Sequence, residues 1–228
     1  MSLFARSIPD LSDLRPCTES LCLVRALAGG GSADQIAYTL QLNCVRILDA
    51  SIRDYNLGSD CIYKYKNRTT DDRLSIIQLC WKWCISKYNN RTTGELGIYH
   101  IINATTHFES CIWHLERFIK HARALYASKN AEDDLKSCIP KTLDVFDHSI
   151  ESRITRLRHT LAHLEKEAQK GSFPKDTSIA LLPNESGLSI GNENITWQEL
   201  STWLRNAHSC ISSIACFVPP KPASPPRA

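Results

Sequence analysis

The stretch KTLDVFDHSIESRITRLRHTLAHLEKEAQK, residues 141–170, has the most regular pattern in the chain. Its apolar positions are Leu143, Phe146, Ile150, Ile154, Leu157, Leu161, Leu164 and Ala168, separated by steps of three and four. That period matches one face of an α-helix packed lengthwise against other helices. Gly171 and Pro174 are stop signals directly after it.

The same pattern recurs on both sides of this stretch. Ile36, Leu40, Cys44, Ile47 and Ser51 predict a helix over about 33–55, following the Gly29-Gly30-Gly31-Ser32 joint. Leu74, Ile77, Trp81 and Cys84 predict one over roughly 71–88. A third is expected over about 94–128, with Ile98, Ile102, Thr105, Phe108, Ile112, Leu115, Ile119, Ala122 and Leu125 along one side. Thr69 with Asp72, Thr92 with Glu95 and Thr196 with Glu199 have the spacing of helix-starting capping boxes. The last of these opens a final helix striped by Trp197, Leu200, Leu204, Ala207, Ile211 and Ile214. Before it, residues 178–182 and 187–190 flank Pro183-Asn184-Glu185-Ser186 and read as a β-hairpin. The expected fold is therefore all-α: an antiparallel bundle of about five helices with one small β-hairpin before the last. Residues 1–32 are expected to be irregular, 33–217 to form one helical domain, and 218–228 to be a Pro-rich disordered tail.

Composition narrows the function classes. The 228 residues carry a formal net charge of only +3, so any nucleic-acid contact must come from a local basic patch. No run approaches the roughly 18 apolar residues of a membrane span. Arg6, Pro9 and Asp10 interrupt what would be the apolar core of an export signal. Ten cysteines contain no Cys-x-x-Cys, and Cys80 and Cys84 sit beside Trp81 and Trp83, which reads as thiols packed like small hydrophobes. The expected setting is a reducing cytoplasm, in which five Asn-x-Ser/Thr sites carry no glycan message. Gly29-Gly30-Gly31-Ser32 has no following Lys, which argues against a P-loop.

The candidate chemistry lies on the helix quoted first. Arg153, Arg156, Arg158, His159, His163 and Lys166 crowd its stretch from 153 to 166. At 100° per residue, Arg158 and His163 flank its back from opposite sides, about 140° apart. Between them lie His148, Ser152, Thr155, His159, Ala162 and Lys166, an unusually small and weakly charged face for a solvated helix.

Arg158-His159-x-x-x-His163, with Ala162 before the second His, resembles the Arg-polar-x-x-x-His signature of HEPN domains. These are helical-bundle proteins common among prokaryotic toxins, anti-phage systems and CRISPR-associated ribonucleases. The resemblance covers six residues. It implies a homodimer that brings two motifs into one cleft, a metal-independent endoribonuclease activity with no cofactor, and a toxin or antiviral-defence role with a protein antitoxin or regulator as partner. In that scheme His163 is the general acid/base, Arg158 holds the phosphate and transition-state charge, and His159 orients. Arg153, Arg156 and Lys166 would contact the RNA backbone. Some family members continue the motif as His-x-Tyr, but this chain has Glu165 at the Tyr position, which argues against control by modification there. Arg156 with His163 and Arg153 with His159 also fit a loose form of the motif, so the functional arginine stays open among the three. Two alternatives stand beside the enzyme. One is a catalytically inactive helical module of the same kind that binds RNA, nucleotide or a protein partner. The other is an unrelated helical adaptor that uses Trp81/Trp83 and Trp197/Trp203.

Overall fold

A computed structural model describes residues 8–21, 35–66, 95–129, 131, 133–144, 146–170, 181–191 and 193–217. Residues 17–21 are helical (α1). There follow α2 (Gln35–Lys66), α3 (Glu95–Ala127), α4 (Asp133–Asp144), α5 (His148–Gln169), strands β1 (Leu182–Pro183), β2 (Gly187–Ile190) and β3 (Glu193–Thr196), and α6 (Trp197–Ala215). The mainly helical bundle with a small antiparallel sheet before the last helix is as the sequence pattern predicts. The helix expected over 71–88, the Thr69 and Thr92 caps, Cys80, Cys84 and the 218–228 tail lie outside the described residues.

Helices α2 and α3 make the most extensive contact in the molecule. They run antiparallel: Ser51 Oγ donates to the Cys111 carbonyl at 2.8 Å, Tyr55 meets Phe108 edge-on at 6.0 Å, and Gly58 lies under the Phe108 ring. A Cβ on Gly58 would sit 2.9 Å from Phe108 Cζ, so the missing side chain is what admits the ring. That contact also explains why α2 runs on to Lys66 instead of stopping near Tyr55. Asn56 and Gly58 break the apolar period in sequence, yet Ile62 and Tyr65 continue the buried face beyond them. Phe108 also packs on Trp197, with ring centroids 4.9 Å apart, tying α6 into the same core.

Three local expectations are corrected. The predicted helix over 141–170 is two helices, α4 ending at Asp144 and α5 starting at His148, with Phe146 and Asp147 non-helical between them. Asp147 accepts the Ile150 amide at 2.8 Å, as an N-cap residue does for N3, and starts a new helix there. Phe146 turns into the core against Phe118, 6.1 Å between centroids. The apolar stripe runs across this corner unbroken because both helices face one core, so periodicity alone hid the break. The hairpin is a three-stranded sheet in the order β1-β2-β3, with Leu188 opposite Ile195. Gly191, at φ 56°, makes the second turn in the left-handed region that favours glycine. The segment before residue 33 is not wholly irregular either. Asp49 caps α1 by accepting the Cys17 and Thr18 amides at 2.9 and 2.8 Å, and Arg205 clamps Asp13 through both guanidinium nitrogens at 2.8 Å.

The capping box on α6 is present in full. Glu199 N–H donates to Thr196 Oγ1 at 3.1 Å, and Thr196 N–H donates to Glu199 Oε2 at 2.9 Å. Among the described cysteines, burial pushes the Cys44 and Cys111 thiols up to about 12, so both stay protonated and pack as apolar groups.

Candidate functional site

Helix α5 lies against α3 on one side and against β3 on another. The α3 contact is antiparallel, since Glu151 pairs with Arg123 and Arg158 lies over Trp113. Ile154 and Leu157 are fully buried beneath it and fix its rotation. That rotation sends the six candidate residues in three directions.

Arg153 and Arg156 turn to the sheet side. Arg153 Nη1 donates to Glu199 Oε1 at 2.9 Å, Nη2 donates to the Asn194 carbonyl at 2.8 Å, and the guanidinium sits 5.6 Å from the Trp203 ring centre. Arg153 is the largest influence holding the Glu199 carboxyl down, at about 2 against an ordinary 4.5, with the Thr196 amide and hydroxyl adding to it. Arg156 Nε donates to Glu193 Oε1 at 2.7 Å, with its side chain still largely exposed. Both arginines therefore join α5 to β3 and the start of α6.

Arg158 turns to α3. Its guanidinium carbon lies 4.3 Å from the Trp113 ring centre, a close cation–π contact worth about 0.5–2 kcal/mol. Its Nε is buried and makes no hydrogen bond among the described residues. A buried unpaired donor costs on the order of 1–3 kcal/mol, which offsets much of the stacking gain. One turn earlier on the same side of α3, burial alone pushes the Glu109 carboxyl up, a sign of poor solvation along this seam.

His159 and His163 take the remaining face. One turn apart, their imidazoles lie 4.4 Å between centroids at an interplanar angle of 59°. His159 and Lys166 are exposed and His163 is half-buried. The sequence reading set Arg158 and His163 on opposite flanks of the back of this helix. Arg158 reaches Trp113, while the ring contact of His163 is with His159. The two imidazoles are brought together; the guanidinium of the same chain is directed elsewhere.

A second cluster was missed in sequence. On the α2–α3 seam the buried Asp54 carboxylate has His114 Nδ1 at 3.0 Å, His107 Nδ1 at 4.0 Å and Arg53 Nε at 3.8 Å. The available signal was the regular recurrence of histidine on α3, at 100, 107, 114 and 121, which places all four on one helix side. Among the described residues no group of three His, Cys, Asp or Glu has the arrangement to hold a metal ion. Likewise, no helix among them is long and apolar enough to cross a membrane.

Comparison with family models, with curated proteins and with solved structures finds no match for this chain.

Proposed function

We propose that the protein is a metal-independent endoribonuclease resembling HEPN domains, cutting RNA at a composite site between two copies of the chain. The observation that carries this reading is the His159–His163 imidazole pair, 4.4 Å apart at the accessible surface of the helix turn that also bears Arg158. RNA supplies its own nucleophile, the 2′-OH beside the scissile phosphate. One imidazole near neutral pH takes the hydroxyl proton, the 2′ oxygen attacks phosphorus, and the P–O5′ bond breaks. The departing 5′ oxygen takes a proton from an imidazolium, leaving a 2′,3′-cyclic phosphate and a 5′-OH. His163 is assigned the acid/base role and His159 orients it. A guanidinium fork stabilises charge on the phosphoryl oxygens, the task given to Arg158. Because Arg158 points to Trp113 within its own chain, the arginine facing His163 comes from the second copy in this reading. Lys166 and Arg156, both exposed, are placed to steer backbone phosphates. A cytoplasmic toxin or antiviral-defence role, with a protein antitoxin or regulator, follows from the resemblance.

The test is incubation of the full chain with end-labelled RNA in excess EDTA, with mass measured in solution. Cleavage to cyclic-phosphate ends by a dimer, lost in His163→Ala, supports the reading. An inert wild type, or a monomer cutting at full rate, overturns it.

A second reading has its own observation. The Arg158–Trp113 stack uses the motif arginine in α3–α5 packing, which suits a catalytically inactive module binding RNA, nucleotide or a protein partner. Binding of RNA without cleavage would select it.

A further inference from the structure

The histidines of the chain divide by what their ring nitrogens meet. His114 Nδ1 lies 3.0 Å from Asp54 Oδ2, His121 Nδ1 lies 2.8 Å from the Arg117 carbonyl oxygen, and His208 Nε2 lies 2.7 Å from the Arg15 carbonyl oxygen. Each of those rings is oriented by an acceptor of the fold. His159 and His163 have no hydrogen bond or ion pair among the described residues, and the ring that each meets is the other.

A spacing of four residues puts both side chains on one side of α5, about 6 Å apart along its axis. The ring centroids are 4.4 Å apart and the planes 59° from parallel. A metal–imidazole bond of about 2.0–2.1 Å sets each ring centre about 3.2 Å from a shared ion. Two such arms ending 4.4 Å apart subtend about 90°, the angle between neighbouring positions of a tetragonal shell. Tetrahedral bonding would set the centres about 5.2 Å apart. His159 is exposed and His163 half-buried, with the small, exposed Thr155 and Ala162 beside them, so an ion reaches both rings from solvent. Lys166, exposed on the same face, opposes the ion's charge, but at a solvated position where that repulsion is screened.

We propose that His159 and His163 form a two-histidine site for a divalent transition ion of tetragonal preference, Cu²⁺ or Ni²⁺. Imidazole nitrogens suit such ions, whereas Mg²⁺ takes oxygen ligands. Among the described residues no group of three His, Cys, Asp or Glu forms a larger ligand set, so the protein supplies two ligands and water the others. The ion links successive turns of α5 and therefore binds the folded chain better than the unfolded one. The site does not rest on the ribonuclease reading. Where that reading also holds, the ion occupies the lone pairs that the acid/base steps use, and it inhibits.

The experiment is a calorimetric titration of the full chain with Ni²⁺ at about pH 8, where imidazole is neutral and able to bind a metal. Ni²⁺ is the probe because Cu²⁺ also oxidises thiols, and Cys216 is exposed. His159→Gln and His163→Gln test the site, with His121→Gln and Cys216→Ser as controls. One saturable site is expected in the wild type and in both controls. Each α5 variant should bind more than tenfold more weakly, since loss of even a supporting partner of a metal ligand costs about 10–100-fold. Ni²⁺ should raise the Tm of the wild type and leave that of the two variants unchanged, and Mg²⁺ should do neither. His159 is exposed, so His159→Gln keeps the fold, as its metal-free melting registers; that variant decides the matter even if His163→Gln is destabilised. Absence of saturable binding, an affinity in His159→Gln equal to the wild type, or an equal loss in either control overturns the proposal.

Discussion

The stretches of α5 before and after Leu157 carry the same kinds of residue and use them in opposite ways. Before Leu157, Arg153 and Arg156 end on carboxylates of α6 and β3, and Arg153 takes the Asn194 carbonyl as well. Arg153 is held between Glu199 and the Asn194 carbonyl, while Arg156 pairs with Glu193 and keeps most of its side chain in solvent. After Leu157, Arg158 has a buried Nε with no hydrogen bond among the described residues, and two imidazoles lie side by side at the surface. Arginines two and five residues apart thus differ not in type but in what the neighbouring element offers. Where β3 and α6 supply acceptors, arginine stabilises; where α3 supplies an indole face, its hydrogen-bonding capacity is left partly unused. Unsatisfied polar groups of that kind concentrate at sites retained for something other than stability.

Substitutions along α5 can break or sharpen this contrast. The largest effect belongs to the stretch after Leu157. His163→Ala should lower RNA cleavage by about 10²–10⁴-fold while leaving the melting temperature nearly unchanged, read by gel assay beside thermal unfolding. If the two effects reverse, with stability lost and cleavage kept, the division of α5 is wrong. Arg153→Ala should do the opposite, costing about 1–2 kcal/mol in denaturant unfolding. That value is set at the lower end of charged hydrogen bonds because both partners remain partly solvated.

Acid titration sharpens the same point. The folded Glu199 carboxyl lies at about 2, below its ordinary 4.5, chiefly because Arg153 bonds the ionised form. Its contribution to stability is therefore full above about 4.5 and is lost as pH falls toward 2. Wild-type unfolding free energy should decline across that window, and the decline should be shallower in Arg153→Ala. Parallel curves would remove Arg153 as the cause. Next comes Thr196→Ala, which deletes one half of the α6 capping box and should cost about 1 kcal/mol. Arg156→Ala is the smallest. Its exposed pair with Glu193 should be worth under about 1 kcal/mol and should weaken further in salt.

The α6 capping box illustrates what is legible in a sequence, since Thr196 and Glu199 act through backbone amides within one helical turn. The long period of α3 is legible for the same reason. Asp147 is a cap of the same type, but it lies inside an apolar stripe that continues through the corner, so the break between α4 and α5 was masked. At the candidate site, the 140° separation of Arg158 and His163 followed from helix geometry, and so did the one-turn spacing of His159 and His163. That Arg153 and Arg156 are engaged by Glu199 and Glu193 did not follow, because those partners lie 46 and 37 residues away.

What the amino-acid order determined by itself was therefore everything with a short range: helix periods, a cap, a turn at Asn184, and which residues share a side of α5 or α3. Tertiary packing alone decided which arginine meets a carboxylate and which meets an indole, and it brought Asp54 beneath two histidines from another helix. The physical reason is that backbone hydrogen bonds and side-chain period act over one or two turns. Charge pairing depends on how distant helices are rotated, and that rotation is set by the shape of the whole buried core.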